Sequence, residues 1–264
     1  DGSTTTGIGL YLNSTSNVSL NYMQLNDFQN FAIFGTSVTG FRMANSVLNG
    51  ANGDNDGVDE GVISFGRSNP SGQNGLFGAS AITDTLISGG IEHNVQVYNQ
   101  SGTFSLSLTR VTIRDNTVAL GSDGVLMEMQ GTASATLVVE NSDFIDNKSQ
   151  GIQVAANDSS TADVTINNSR VTRTTQGNEG FILSNGSNGD LTARITNNTI
   201  TGIGGVGIFV GQTPGNATAS TSLPAIIRGN TITHATTATN HAIFVALTST
   251  SGQVSIANIL VEQN

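Results

Sequence analysis

Apolar residues recur along the chain in a pattern that repeats about nine times, at intervals of about 29 residues. Each copy has two apolar positions that form two columns when the copies are aligned. The earlier column consists of Leu20, Met43, Ile82, Leu108, Val139, Ile166, Ile195, Ile227 and Ile256. The later column consists of Leu25, Leu48, Ile87, Ile113, Phe144, Val171, Ile200, Ile232 and Val261. Units this short cannot bury an apolar face alone, so the copies are expected to stack around one continuous core.

Within each copy the apolar residues before the earlier column alternate with polar ones, which is the period of a β-strand. The two columns are an odd number of residues apart, and an odd step would turn the later residue outward on a straight strand. We therefore expect the chain to bend between the columns. Asparagine recurs there and tolerates left-handed backbone angles, so a stacked asparagine ladder is predicted. Its members are Asn45, Asn141, Asn168, Asn197 and Asn258.

A further short strand is predicted before each copy. These strands are expected to begin near Gly7, Ala32, Gly61, Asn94, Gly124, Gly151, Gly180, Gly207 and Ala242. No window shows a 3.6-residue apolar period long enough for a crossover helix. The sequence therefore predicts an all-β, single-stranded parallel β-helix of about nine coils, with residues 1–264 as one domain. Right-handed winding follows from the strong preference of parallel crossovers for that hand.

Segments such as "VTINNSRV", "GIQVAA" and "GIFVGQ" together resemble the repeats of right-handed parallel β-helix proteins of bacteria. Two other segments, "NGDNDGVDEGVISFG" and "GSDGVLMEM", resemble repeat regions of large bacterial surface proteins. The resemblance implies an extracellular or cell-surface location. It implies no single activity, since this group includes pectin-active enzymes, autotransporter passenger domains and passive stalks.

Charge narrows the range of partners. The chain has 9 Lys and Arg against 19 Asp and Glu, which gives a formal net charge of −10. Nucleic-acid binding relies on clustered basic residues, so a nucleic-acid partner is not expected.

No apolar run is long enough to insert into a membrane. The chain has no cysteine, which excludes disulfides and thiolate metal sites.

The repeat continues close to both ends of the chain. Val254, Ile256 and Val261 at one end, and Ile8 and Leu10 at the other, would leave apolar core and strand edges uncovered in an isolated solenoid. We therefore expect further β-helix coils of a longer chain, or like subunits, as partners at the ends.

The densest acidic segment of the sequence lies in the turn at residues 52–60. It contains Asp54, Asp56, Asp59 and Glu60, interleaved with Asn and Gly. Alternating oxygen ligands in a tight turn are typical of calcium sites, so these four residues are predicted to bind calcium. Two other interpretations stay open: a solvated polar turn that needs no ligand, and carboxylate catalysis.

The corresponding turns of the next two copies carry Glu92-His93 and Asp123. Stacked in register with Glu60, these groups would lie about 5 Å apart, and like charges at that spacing repel by about 1 kcal/mol in a water-like dielectric. Either loop variation separates them, or a cation or basic residue bridges them. The three histidines lack a short metal-binding spacing and are expected to be isolated turn residues. They are His93, His234 and His241.

Two functions are consistent with this sequence. The first is a non-catalytic structural or adhesive segment of an extracellular surface protein, stalk or filament, with carbohydrate as a partner. The alternative is a carbohydrate-active enzyme: either a lyase that uses Asp54, Asp56 and Glu60 with Arg67, or a hydrolase that uses a stacked pair of carboxylates. Sugar clefts use aromatic platforms, whereas this chain has no Trp and 3 Tyr. The first function is therefore favoured, and no catalytic residue is assigned.

Overall fold

The computed structural model describes residues 6–55, 59–67, 72–115, 123–177, 179–213, 221–235, 240–247 and 255–264. All regular secondary structure in these residues is β-strand. No helix among them is long and apolar enough to cross a membrane.

Short strands follow one another along the described residues. Before residue 116 they are β1 (Ile8–Asn13), β2 (Ser19–Asn21), β3 (Gln24–Asn26), β4 (Phe31–Thr36), β5 (Val38–Thr39), β6 (Arg42–Ala44), β7 (Val47–Asn49), β8 (Gly61–Arg67), β9 (Gln73–Asn74), β10 (Leu76–Thr83), β11 (Leu86–Ser88), β12 (His93–Asn99), β13 (Thr103–Thr109) and β14 (Thr112–Arg114). After residue 122 they are β15 (Val125–Met129), β16 (Ser134–Glu140), β17 (Asp143–Ile145), β18 (Gln150–Ala156), β19 (Thr161–Asn167), β20 (Arg170–Gly177), β21 (Glu179–Gly186), β22 (Asp190–Thr196), β23 (Thr199–Ile203), β24 (Ile208–Thr213), β25 (Thr221–Arg228), β26 (Thr231–His234), β27 (Ile243–Ala246) and β28 (Ser255–Glu262).

Three parallel sheets run along the molecule, and each turn of the chain contributes to them in succession. The first sheet has the order β1-β4-β8-β12-β15-β18-β21-β24-β27, the second β2-β6-β10-β13-β16-β19-β22-β25-β28, and the third β26-β23-β20-β17-β14-β11-β7-β3. Among the described pairings, β8 with β9 is antiparallel. The predicted parallel β-helix is confirmed, and the strands of the first sheet begin within one residue of their expected positions.

The number of complete turns is slightly smaller than the expected nine. The third sheet has 8 strands, whereas the other two paths continue to β27 and β28. No strand of the third sheet follows β28 among the described residues, so the last described turn contributes to two sheets.

The predicted columns form the core of the β-helix. In the earlier column Ile166 pairs with Ile195, and Ile195 pairs with Ile227. In the later column Val171 pairs with Ile200, which is fully buried. The strand registers confirm both columns for every copy except the last.

The last copy has a different register from the predicted one. Val261, rather than Ile256, lies opposite Ile227, and Asn258 lies opposite Pro224 inside β28. The expected bend at Asn258 is therefore wrong. The backbone turns left-handed later, at Gln263, where φ is 52°. The error arose because both Ile256 and Val261 are apolar, so both registers fit the hydrophobic pattern.

Asparagine does occupy the bends of four other copies. Asn45, Asn141, Asn168 and Asn197 all have positive φ, between 48° and 57°. Their side chains are exposed. The side-chain amides of Asn45, Asn168 and Asn197 donate to an asparagine of the preceding turn; Asn168 Nδ2, for example, donates to Asn141 Oδ1 over 2.6 Å. The predicted asparagine contacts between turns are therefore present at these positions, on the surface of the molecule.

A second, buried ladder lies one residue after these bends, which the sequence reasoning missed. Its residues carry a hydroxyl or amide group. The buried members are Ser46, Thr85, Ser142, Ser169, Asn198 and Asn230, and the exposed Asn264 continues the row. Each accepts a hydrogen bond from a backbone N–H of the neighbouring turn, so a side chain satisfies a donor that the bend takes out of the sheets. The signal was a recurring Ser, Thr or Asn directly after the bend residue.

Candidate metal centre

The acidic turn that precedes β8 is held together by its own side chains. Glu60 is fully buried, and its Oε2 accepts hydrogen bonds from the backbone N–H groups of Asp54 over 2.8 Å and Asn55 over 2.9 Å. Asp54 Oδ2 accepts a hydrogen bond from Gln29 Nε2 over 2.9 Å. Of the four predicted calcium ligands, Asp54 and Glu60 therefore stabilise the turn, and Asp56 lies outside the described residues.

The fourth predicted ligand, Asp59, faces the next turn of the helix. Asp59, Glu92 and His93 each contribute one potential ligand atom, and these three atoms lie within 4.8 Å of one another. His93 is the first residue of β12 and pairs with Gly61 of β8, so the strand register places Asp59 beside the Glu92-His93 pair. The structure thus combines one predicted ligand with two residues that the sequence placed in the following turn.

Glycine at position 61 is required for this approach of two turns. A Cβ atom on Gly61 would lie 2.0 Å from the carbonyl oxygen of His93. Real Cβ atoms essentially never show contacts below 3.0 Å, and the atom met here belongs to the backbone, so any larger residue would push β8 and β12 apart. The spacing of the candidate centre therefore depends on Gly61.

His93 is buried, with 6% of its side chain exposed. Its Nδ1 accepts a hydrogen bond from the backbone N–H of Asp123 over 3.2 Å and lies 3.5 Å from Asp123 Oδ2. Its Nε2 lies 3.9 Å from Glu92 Oε1. Burial lowers the pKa of His93 to about 4, although the charge of Asp59 acts in the opposite direction. The imidazole is therefore neutral at neutral pH, and its Nδ1 lone pair is directed at the Asp123 N–H.

The turns beyond His93 continue a row of buried polar groups. Burial raises the pKa of Asp123 to about 8, although a hydrogen bond to its Oδ1 from the backbone N–H of Gln150, 3.0 Å long, acts to lower it. The side-chain amide of Gln150 donates to Glu179 Oε2 over 2.8 Å. Burial likewise raises the pKa of Glu179. A glutamine thus separates the two acids, which limits the like-charge repulsion expected from stacking.

Two buried arginines accompany the acids. Arg67 is 2% exposed, and its guanidinium lies 5.4 Å from the ring centre of Phe31. Burial lowers the pKa of Arg67, while the nearby charges of Asp59, Glu60 and Glu92 raise it. Arg173 Nη2 donates to the carbonyl oxygen of Ser149, and burial lowers the pKa of Arg173 to about 10. Basic side chains thus lie near the acidic turns, as in one of the alternatives left open by the sequence, and their charges interact with those of the acids.

This arrangement can hold a cation through one nitrogen and two carboxylate oxygens. It is poorly suited to the lyase chemistry considered from the sequence, because Arg67 is buried against Phe31 rather than displayed on an outer strand face. The sequence reasoning took His93 for an isolated turn residue. Its position directly after Glu92, one repeat beyond Asp59-Glu60, was the signal that could have joined it to the site.

Comparison with curated proteins and with solved structures gives no match for this chain. A family model described as "Right handed beta helix region" matches residues 68–223, which is more than half of the chain. The match agrees with the parallel sheets described above and gives the hand of the winding. The chain belongs to the right-handed β-helix family.

Proposed function

We propose that this β-helix is a non-catalytic structural and adhesive segment of an extracellular surface protein, and that the outer face of its second sheet contacts carbohydrate. The observation that carries the proposal is the chemistry of this face. Its outward positions on neighbouring strands are mostly small and polar.

Two rows of these side chains run across β13, β16, β19 and β22. One row is Thr103, Ser134, Thr161 and Asp190, and the other is Ser105, Thr136, Asp163 and Thr192. Together with Ser222, most of them line a shallow hollow in the face. Hydroxyl and carboxylate groups at the strand spacing of about 4.8 Å can exchange hydrogen bonds with the hydroxyl groups of a polysaccharide.

The hollow contains no aromatic or basic side chain among its described lining residues. Such a surface supports weak contacts that are repeated along the rod, because it lacks the stacking platforms on which tight sugar sites depend. If the protein were a carbohydrate-active enzyme, its acids of raised pKa would have to contact the polymer. Asp123, however, is only 1% exposed. The geometry therefore favours binding over turnover.

Affinity electrophoresis in gels that contain soluble polysaccharides tests this proposal. We expect the wild-type chain to be retarded by at least one acidic or neutral polysaccharide. The combined change Thr136→Val and Thr192→Val should reduce the retardation, because it removes two hydroxyl groups from one row. The matched control is Thr231→Val, on the third sheet. Equal retardation of wild type and the double variant would contradict the binding face.

The same polysaccharides, incubated with the protein and assayed for unsaturated uronate and new reducing ends, distinguish the two functions. We expect no product above that of a buffer control. Product formation that grows with protein concentration would overturn the non-catalytic proposal and establish the enzyme alternative.

A further inference from the structure

We propose that Asp59, Glu92 and His93 form a binding site for a divalent transition-metal ion, which connects two adjacent turns of the β-helix. The site differs from the calcium turn predicted by the sequence, since Asp59 is the one residue common to both. It does not rest on the proposed carbohydrate-binding function.

The first support is geometric. The three ligand atoms lie within 4.8 Å of one another. Metal–ligand bonds of about 2.0–2.2 Å to imidazole nitrogen and carboxylate oxygen place tetrahedral ligands about 3.3–3.6 Å apart. An ion at the site would therefore have to draw the ligand atoms together, and the carboxylate side chains have rotatable bonds that permit this. Gly61 maintains the close approach of β8 and β12 that the site requires.

The second support is the environment of His93. Its side chain is 6% exposed, and its Nε2 points toward Glu92 Oε1 at 3.9 Å, beyond hydrogen-bond distance. Among the described residues, no hydrogen bond to Nε2 is present. On the other side of the ring, Nδ1 lies 3.5 Å from Asp123 Oδ2.

In many metal sites the second ring nitrogen of a histidine ligand is oriented by a carboxylate or a backbone group. In this structure Nδ1 accepts the backbone N–H of Asp123, which places the ring proton on Nε2. Binding of an ion at Nε2 would move this proton to Nδ1, where Asp123 Oδ2, 3.5 Å away, would accept it in place of the N–H contact. Asp123 is therefore assigned as a positioning residue that orients the imidazole without touching the ion.

The charges around the site also favour a divalent cation. The charges of Asp59, Glu60 and Glu92 act on the guanidinium of Arg67, so these carboxylates lie close enough to one another to create a negative potential at the site. A divalent ion between Asp59 and Glu92 would be attracted by this potential. Burial strengthens this electrostatic attraction, because the dielectric response around the groups is weaker than in water.

The ligand atoms determine the class of ion. Calcium and magnesium take oxygen ligands, whereas imidazole nitrogen suits zinc, cobalt and other transition metals. One nitrogen and two carboxylate oxygens leave a fourth tetrahedral position for water. The inference therefore commits to a transition metal, and zinc and cobalt serve as its probes.

The test uses the full 264-residue chain, freed of metal with a chelator. Zinc chloride, calcium chloride and magnesium chloride are titrated against the thermal unfolding midpoint, and cobalt binding is followed by its visible absorption. We expect zinc to raise the midpoint in proportion to the logarithm of its concentration, because the ion binds the folded chain. Calcium and magnesium should produce at most a small shift.

Variants separate this site from the others. His93→Gln and Asp59→Asn should lower zinc affinity at least tenfold, and Asp123→Asn should lower it about 10- to 100-fold through the orientation of the ring. Matched controls are Asp54→Asn, in the predicted calcium turn, and His234→Gln, a histidine of the third sheet. Both controls should bind zinc as tightly as the wild type.

Three results would overturn the inference. One is the absence of a zinc-dependent shift in the folded wild-type chain. The second is a zinc affinity unchanged by Asp59→Asn, a turn variant that keeps the test valid if His93→Gln fails to fold. The third is a calcium shift, lost in Asp54→Asn, that equals or exceeds the zinc shift, which would place the ion in the acidic turn.

Discussion

Replacing Asn198 with alanine removes one link of the buried ladder that joins successive bends. The Oδ1 of Asn198 accepts a hydrogen bond from the Ser169 N–H over 2.8 Å, and its Nδ2 donates to the Ile166 carbonyl over 3.0 Å. The same Nδ2 donates to Asn230 Oδ1 over 2.9 Å. All of these groups are buried, so water cannot replace the lost partner without opening the bend.

The expected loss of stability follows from these contacts. An unsatisfied buried donor or acceptor costs about 1–3 kcal/mol. The Ser169 N–H loses its acceptor in full, whereas Asn230 Oδ1 still accepts a hydrogen bond from the Asn198 backbone N–H over 3.0 Å. We therefore expect Asn198→Ala to lower the free energy of unfolding by about 2–4 kcal/mol.

The control is Asn197→Gly, one residue earlier. Asn197 is exposed and has a φ of 57°, which glycine adopts without strain. This variant loses a surface hydrogen bond and should change the stability by less than about 1 kcal/mol. Denaturant unfolding followed by far-ultraviolet circular dichroism measures both variants. Equal losses in the two variants, or no loss in Asn198→Ala, would refute the assignment of the ladder to the buried position.

Three further predictions concern the core, the pH dependence and the contact between turns. Ile195→Asp would bury a charge between coils and should lower the free energy of unfolding by several kcal/mol, whereas Arg194→Asp, at the exposed neighbouring position, should lower it by less than about 0.5 kcal/mol. Similar denaturation midpoints for the two variants would contradict the core column. Burial, followed by the charge of Asp59, raises the pKa of Glu128 above its ordinary value of 4.5, so ionisation of this carboxyl lowers the stability of the fold as the pH rises through the folded-state pKa. Glu128→Gln should therefore raise the melting temperature above neutral pH and leave it unchanged well below pH 4.5. An effect of the same size at every pH would exclude this cause. Gly61→Ala should lower the melting temperature, because its Cβ would meet a backbone carbonyl at 2.0 Å, and an unchanged melting temperature would show that β8 and β12 can separate freely.

The hydrophobic pattern was sufficient to predict the stacking of turns and most of the strand registers. Ile195 and its equivalents recur once in every turn, at intervals that average about 29 residues, and a parallel stack is the arrangement that buries them together. The same pattern failed for the last copy, where Ile256 and Val261 satisfy it equally well. Backbone pairing with β25 decided between them.

At the bends, too, one feature could be predicted from the sequence and another was decided by the tertiary structure. Left-handed angles at Asn197 and its equivalents follow from a local preference of asparagine, which acts within a few residues and can be read from the sequence. The burial of Asn198 and the choice of its partners depend on the neighbouring turn, so they were decided by the tertiary structure.

The candidate metal centre depends most on tertiary structure. The sequence located an acidic turn and a following Glu92-His93 pair, and calcium binding by Asp54, Asp56, Asp59 and Glu60 stays a prediction. Turns of unequal length shift side chains relative to the stack, so spacing along the chain could not show which groups would meet. The register of β8 against β12 brings Asp59 to His93 and, with it, an imidazole nitrogen among carboxylate oxygens. The recurrence of apolar residues determined the stacking of the turns, because every turn buries its apolar side chains in the same core. Individual polar contacts, in contrast, were decided by the three-dimensional path of each turn.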